Sequence, residues 1–252
     1  MQNRTKSVAP SMRISSDLFK AFLKCPTKCW LRAAGEPASA NAYAEWAKSQ
    51  SGSYYATEIE RLLSATPKGE VAISPSPEDM KAARWRLAAN LAVHAEMNTY
   101  VLESELHAVE RAPSEGRGRP MRFIPMRFVF ANKPGEDDRL LLAFDAFVLS
   151  RVTGREIGFG KIIHGDDHSV LKVKTAVLSG EVRRRIERVA ALLSSPTPPD
   201  LVLNRHCGEC EFQTRCRRKA IEADDLSLLS GMSEKERKKL LNIITASATT
   251  RG

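Results

Sequence analysis

Leu140-Leu141-Leu142-Ala143-Phe144-Asp145-Ala146-Phe147-Val148-Leu149 holds a single charge in ten residues. Asn132-Lys133-Pro134-Gly135 precedes it and Thr153-Gly154 follows it, both turn-forming stretches. Between such breaks the run over Leu140 to Ser150 reads as a strand. On either side, Leu102 to Arg111, Phe123 to Phe130 and Glu156 to Ile163 also read as strands. Short turns between them predict an antiparallel meander. An acid inside so apolar a run is costly to bury unless a cation or a hydrogen-bond donor meets it. Asp145 is therefore the first candidate for chemistry.

Helical signals frame this centre. Ser15-Ser16-Asp17 offers N-caps for a helix through about Leu23. A short helix follows Pro26 and ends at Gly35. Asn41 to Leu63 reads as a long helix, bent at Ser51-Gly52-Ser53. Val71 to Ile73 is a short strand, and Pro77 to Tyr100 reads as a further helix with Met80, Leu87, Leu91 and Val93 as apolar candidates. Ser179 to Ser194 is a helix with Val182, Ile186, Val189 and Leu193 inside, stopped by Pro196-Thr197-Pro198-Pro199. Ser233 to Ile244 reads as a last helix. The expected division is a loose tail over 1–13, one module over 14–222 and a helical extension over 223–252.

Cys207-Gly208-Glu209-Cys210 and Cys216 lie close together near the end, and Cys25 lies near the start. Three thiolates in one polar loop, with a fourth from Cys25, would staple the two ends of the fold. Their spacing departs from paired C-x2-C zinc patterns and suits a wider iron–sulfur centre. Structural zinc is the rival, and Cys29 reads as a small buried apolar residue, with competition with Cys25 as ligand the alternative.

Composition excludes some classes. The chain has 252 residues, 42% hydrophobic and 27% charged, as in a globular protein. A formal net charge of +9 points to a polyanionic partner, most simply nucleic acid. No run of about 18 apolar residues is present, so no membrane span is expected. Met1 to Arg13 lacks the apolar core of a signal peptide. Free thiols then fit the cytoplasm.

The order of helices, mixed sheet, helix and cysteine loop resembles the RecB-like nucleases of the PD-(D/E)XK superfamily, in the branch with an iron–sulfur staple. The likeness covers about Ile14 to Arg218. It implies an α/β fold: a restriction-endonuclease-like core, with a small central mixed sheet flanked by helices, closed by a four-cysteine cluster. It implies a 4Fe–4S cluster on Cys25, Cys207, Cys210 and Cys216, Mg or Mn at the catalytic site, and DNA as substrate. Asp145 matches the motif aspartate that would hold the metal, and Lys161 in Gly158-Phe159-Gly160-Lys161 matches the motif lysine. Phe159 stands where the motif has an acid. Glu156 has the wrong register to replace it unless Gly158 or Gly160 forms a bulge. Glu105 or Glu58 would then complete the site, Glu105 as a further metal ligand.

Arg183, Arg184 and Arg188, with Arg215 near the cysteines, are candidate phosphate contacts. His164, Asp166, Asp167 and His168 read as a hydrophilic turn. Gly231 to Leu240 resembles the segment that in longer RecB-like proteins leads to further parts, so a helicase or another nuclease-complex subunit is an expected partner. Two functions follow. One is a metal-dependent DNA nuclease acting from ends or on single strands. The other is a catalytically degraded DNA-binding or interaction module, and Phe159 favours it.

Overall fold

The structure is a computed structural model that describes residues 12–76, 78–80, 84–97, 99–113, 121–229, 232, 235–237, 239–240 and 242–243. The expected turn at 114–118 and the end after 244 lie outside the described residues, as do parts of the expected last helix. Residues 235–237, 239–240 and 242–243 of that helix are helical.

Among the described residues, seven strands form one mixed sheet. They are β1 (Met12–Ser15), β2 (Val71–Ile73), β3 (Leu87–Met97), β4 (Tyr100–Ala112), β5 (Arg122–Val129), β6 (Gly160–His164) and β7 (Ser169–Val173). The order is β2-β3-β4-β5-β6-β7. Pairs β3–β4, β4–β5 and β6–β7 are antiparallel, while β2–β3 and β5–β6 are parallel. β1 runs parallel to the first part of β4, with Met12 opposite Tyr100 and Ser15 opposite Glu103. β5 takes the last part of the same edge, from Ala108 opposite Met126 to Ala112 opposite Arg122. Residues 104–107 of β4 therefore lie between two partners.

Six complete helices among the described residues accompany the sheet: α1 (Ser16–Lys24), α2 (Pro26–Ala33), α3 (Ala42–Ser64), α4 (Glu136–Thr153), α5 (Thr175–Ser194) and α6 (Gln213–Glu222). α1, α4 and α5 build the main core on one face, where Phe19 stacks on Phe144 at 4.5 Å between ring centres. α3 covers part of the other face through Tyr54, against Leu87, Ala108, Met126, Phe128 and Ile163. The expected mixed sheet flanked by helices is what the chain forms.

Several elements differ from expectation. Leu140 to Ser150 is not a strand but the body of α4. Acids Glu136, Asp137 and Asp138 sit in its first turn, and Gly154 in the left-handed region (φ +66°) closes it. The helix is apolar nearly all round because it is buried between the sheet and α5, so periodicity could not separate it from a buried strand. It also carries the crossover that makes β5 and β6 parallel, so the four-strand meander is not formed. The stretch over 77–100 is not the expected helix among its described residues, whose only helical part is a 3-10 turn at Glu78–Met80. Its centre is β3, where Leu91, Val93 and Ala95 are buried and Ala92, His94 and Glu96 are exposed or nearly so, a period of two. Helix-favouring alanines masked that alternation.

β6 begins at Gly160 rather than Glu156. A side chain at Gly160 would meet the Pro125 carbonyl at 2.9 Å and Leu142 at 3.0 Å, so glycine permits this close approach of β5 and α4. β7, which no expected element covers, pairs antiparallel with β6 after the turn. Ser51-Gly52-Ser53 does not interrupt α3. Met12 and Arg13, expected in a tail, are in β1. Residues just past 222 continue the module: the Leu203 N–H donates to Ser227 Oγ at 3.1 Å, and Arg237 Nε donates to Asp225 at 3.0 Å. No helix is long and apolar enough to cross a membrane among the described residues.

Candidate functional site

Asp145 faces the sheet from α4 and is fully buried. Arg127 of β5 holds it with two nitrogens, Nη2 at 2.8 Å from Oδ1 and Nε on Oδ2. Ser104 Oγ donates to Oδ1 at 2.6 Å and Ser16 Oγ at 3.4 Å. Arg127 is itself 7% exposed. The expected need of this acid for a partner is met by a guanidinium and hydroxyls. Both oxygens are engaged, which leaves a metal ion little to bind.

Lys161 does not join it. Gly160 and Ile162 of β6 face α4, so strand alternation turns Lys161 and Ile163 to the α3 face. There Lys161 Nζ forms an ion pair with Glu110 of β4. Asp145 and Lys161 therefore stand on opposite faces of the sheet. Asp145 is on a helix and not on a strand, so the two cannot face one site through direct strand pairing. Phe159 lies under the Arg122 guanidinium, 5.7 Å from its ring centre. Glu156 precedes β6 and is exposed.

Glu58 is fully buried on α3 and is also engaged. Arg61 Nη2 donates to it at 2.7 Å, and His168 Nδ1 closes on its other oxygen. His168, at φ +57°, ends the Gly165–His168 turn between β6 and β7, so the expected hydrophilic turn is present. Tyr54 OH donates to Gly165 O at 3.1 Å, a second tie between α3 and this turn. Burial first, and the Glu58 carboxylate second, push the Tyr54 phenol up to about 12.

Glu105 differs from the other three. It is exposed, and its carboxylate has no hydrogen-bond or ion-pair partner among the described residues. It lies in a cleft of about 630 Å³ at the gap where β4 passes from β1 to β5. Lys20, Tyr55, Asn90, His107 and Arg127 share that cleft. His107 Nδ1 accepts the Phe128 N–H at 3.0 Å. Its remaining nitrogen, Nε2, then carries the proton and is a donor only. Burial holds His107 well below the usual histidine value, and Arg127 and Lys20 add to the effect. Lys20 is lowered by desolvation and by Arg127. Sequence reasoning missed Lys20, Tyr55 and His107. Only the i, i+2 spacing of Glu105 and His107 could have placed those two on one strand face.

The cysteines come together from both ends. Cys25 is the extended residue between α1 and α2, with Pro26 opening the second helix. Cys207 lies in a short 3-10 turn capped by Asn204, Cys210 follows that turn, and Cys216 is in α6. All four line one small cavity, with Leu201, Leu203 and Phe212 on its apolar side and Lys24, Lys28 and His206 among its polar lining. Among the described residues no three His, Cys, Asp or Glu side chains stand close enough to hold a metal ion. The donor kind fits iron or zinc, since thiols are soft ligands and no carboxylate residue lines the cavity. Burial pushes the Cys216 thiol up to about 11, helped by Cys210, Cys25 and Cys207, and raises Cys207 and Cys210 as well. Cys29 is buried in the main core, with its thiol pushed up to about 12 by burial.

The two ends are bound by ordinary contacts too. Asn41 Nδ2 donates to Cys210 O at 3.0 Å, Ser39 N–H donates to Glu211 O at 2.9 Å, and Asn204 Nδ2 donates to Lys24 O at 3.2 Å. Lys28 and Arg32 both pair with Glu211.

The candidate arginines are partly spent. Arg184 pairs with Glu181, Arg215 pairs with Glu36, and Arg188 lies over the Phe22 ring at 5.5 Å. Arg183 is exposed on α5.

No protein-family model matches the chain, and no curated protein does. Solved structures do match. One is the crystal structure of SSO0001, 14% identical, with 84% of this chain and 88% of that chain covered, at a TM-score of 0.46.

Proposed function

We propose that the chain is a DNA-binding module of the RecB-like nuclease type, with a restriction-endonuclease-like core whose acid–lysine pair no longer cuts. The observation that carries this reading is the capture of Asp145 by Arg127 and Ser104 while Lys161 lies across the sheet with Glu110. A metal-dependent nuclease needs carboxylate oxygens free to hold Mg2+ or Mn2+ beside a phosphate. Cys25, Cys207, Cys210 and Cys216 would hold a 4Fe–4S cluster that closes the fold, and that cluster would supply structure rather than chemistry. The net charge of +9 supports a nucleic-acid partner. A helicase or another nuclease subunit fits as the protein partner.

Metal-dependent cleavage is the second reading, favoured by the unpaired Glu105 carboxylate beside Lys20 in the cleft. Incubation with single- and double-stranded DNA in Mg2+ and in Mn2+ separates the two. The expected result is salt-sensitive binding without cleavage in either metal. Cleavage abolished by Glu105→Gln and kept by Lys161→Ala would transfer the conclusion to a nuclease seated in the cleft.

A further inference from the structure

Tyr43 and Trp46 lie one helical turn apart at the start of α3 and stack on each other, ring centres 5.6 Å apart and planes 28° apart. Both are exposed, at 56% and 51%. Exposed aromatic rings are costly on a surface with no partner, and two in mutual contact form a flat apolar plate. Their surroundings on the helix are small or polar: Ala42, Lys48, Ser49 and Gln50. No exposed large aliphatic residue of the described set lies on α3. A protein-binding patch would be expected to extend the apolar area, and here only ring faces are presented.

Tyr54, eleven residues on from Tyr43 and about 16 Å away along α3, is buried against the sheet and adds no exposed ring. Phe130, 42% exposed, leans on Tyr54 at 6.0 Å between ring centres. Phe130 is thus an exposed ring near the middle of α3, apart from the Tyr43–Trp46 plate at its start. Exposed cations accompany them. Lys48 is on α3 itself, and Lys133 lies three residues past Phe130. Arg217 is one turn along α6 from Gln213, whose side chain accepts from Asn41 at the α3 N-cap. The acids in the same region are Glu45, Asp166, Asp167 and Glu209, with His206 Nδ1 3.4 Å from Glu209.

We propose that the exposed start of α3 is a stacking track for single-stranded nucleic acid, with the Tyr43–Trp46 plate receiving bases. The inference rests on the DNA-binding reading above and adds the strand state and the surface. Bases stack on aromatic side chains whatever their sequence, because each has a π-face, and arginine or lysine alongside meets the phosphates. Duplex DNA keeps its bases stacked internally, so the plate should discriminate against it.

The test uses the full chain and a fluorescein-labelled oligo-dT of about 15 nucleotides, a length within the site sizes such surfaces occupy, followed by anisotropy at fixed salt. Replacing both Tyr43 and Trp46 with Ala should weaken binding about 10- to 100-fold. Trp46→Phe should keep most of it, and duplex affinity should stay the same in both. Because both rings are exposed, the melting temperature should not move. If wild-type protein binds oligo-dT and the double alanine variant binds it equally well, the track is wrong and the DNA-binding reading stands. If wild-type protein binds no nucleic acid, both fall. If the double variant instead loses self-association and its oligo-dT affinity is unchanged, the plate is a contact between copies and the proposal is overturned.

Discussion

At the scale of single residues, Asp145 shows how a buried acid is satisfied. Its cost in an apolar run was readable from sequence, and so was its need of a partner. The identity of the partner was not: Arg127 is 18 positions away on β5, and Ser104 is 41 away on β4. Only the fold brings them together, because Arg127 leaves β5 on the α4 face while Met126 and Phe128 leave it on the other. A salt bridge of this kind is expected to act on stability rather than on reaction rate. Removing one partner leaves the other charged, buried and alone, which costs about 3–5 kcal/mol. Asp145→Ala should therefore lower unfolding free energy by that amount in urea titration. Asp145→Leu combined with Arg127→Met should recover most of the loss. A soluble Asp145→Ala protein of unchanged stability would contradict this assignment.

At the scale of elements, local signals placed α1, α2, α3, α5, β2, β4 and β5. Caps and punctuation did this: Ser15 and Asn41 cap α1 and α3, accepting from Leu18 N–H at 3.2 Å and Ala44 N–H at 3.1 Å, and Gly35 follows α2 at φ +67°. The two inversions have opposite causes. α4 is buried so fully that no polar face remains to reveal a period of 3.6. β3 is built on alanine, whose helix propensity concealed a period of two. Since Asp145 was assigned to a strand, the candidate site inherited the error, whereas Glu105, on a strand read correctly, lies in the cleft.

The clamp of α3 onto the β6–β7 turn has a pH signature. The Tyr54 phenol ordinarily loses its proton near 10 and in the fold only near 12. A pKa raised by folding means that the neutral form is favoured in the native state. Its stability contribution is thus complete below pH 10 and falls as pH rises from 10 towards 12. Tyr54→Phe should be less stable than wild type at neutral pH, through the lost bond to Gly165, and the gap should shrink or reverse above pH 10. Chemical denaturation at pH 8, 10 and 11.5 measures it.

At the scale of the whole molecule, the distinctive arrangement is that the first two helices and the cysteine loop meet. Protein purified without oxygen is expected to be brown, with four irons per chain, as the family resemblance implies. Cys25→Ala and Cys207→Ala should each lose iron and solubility, since a clip across so long a loop restrains the unfolded chain. Cys29→Ala should keep its iron and cost about 1 kcal/mol for the small cavity left in the core. Stoichiometric zinc and no iron in anaerobic protein would falsify the cluster assignment.

The closure of start upon end also sets a schedule for biosynthesis. Cys25 and α1 leave the ribosome early, and Asn204, Cys210 and Cys216 follow roughly 180–190 positions later. At about 5–20 residues per second that is an interval of about 10–40 s. Throughout it, Lys24, Asn41 and Ser39 have no acceptor or donor from the final segment. The cavity that gathers the four thiols does not exist until translation has passed Cys216, so any inorganic cofactor must be inserted after synthesis of that segment. A nascent chain stalled before Cys207 would emerge with its sheet able to pair and its amino-terminal helices unlatched, a natural target for chaperones or proteases that survey incomplete proteins.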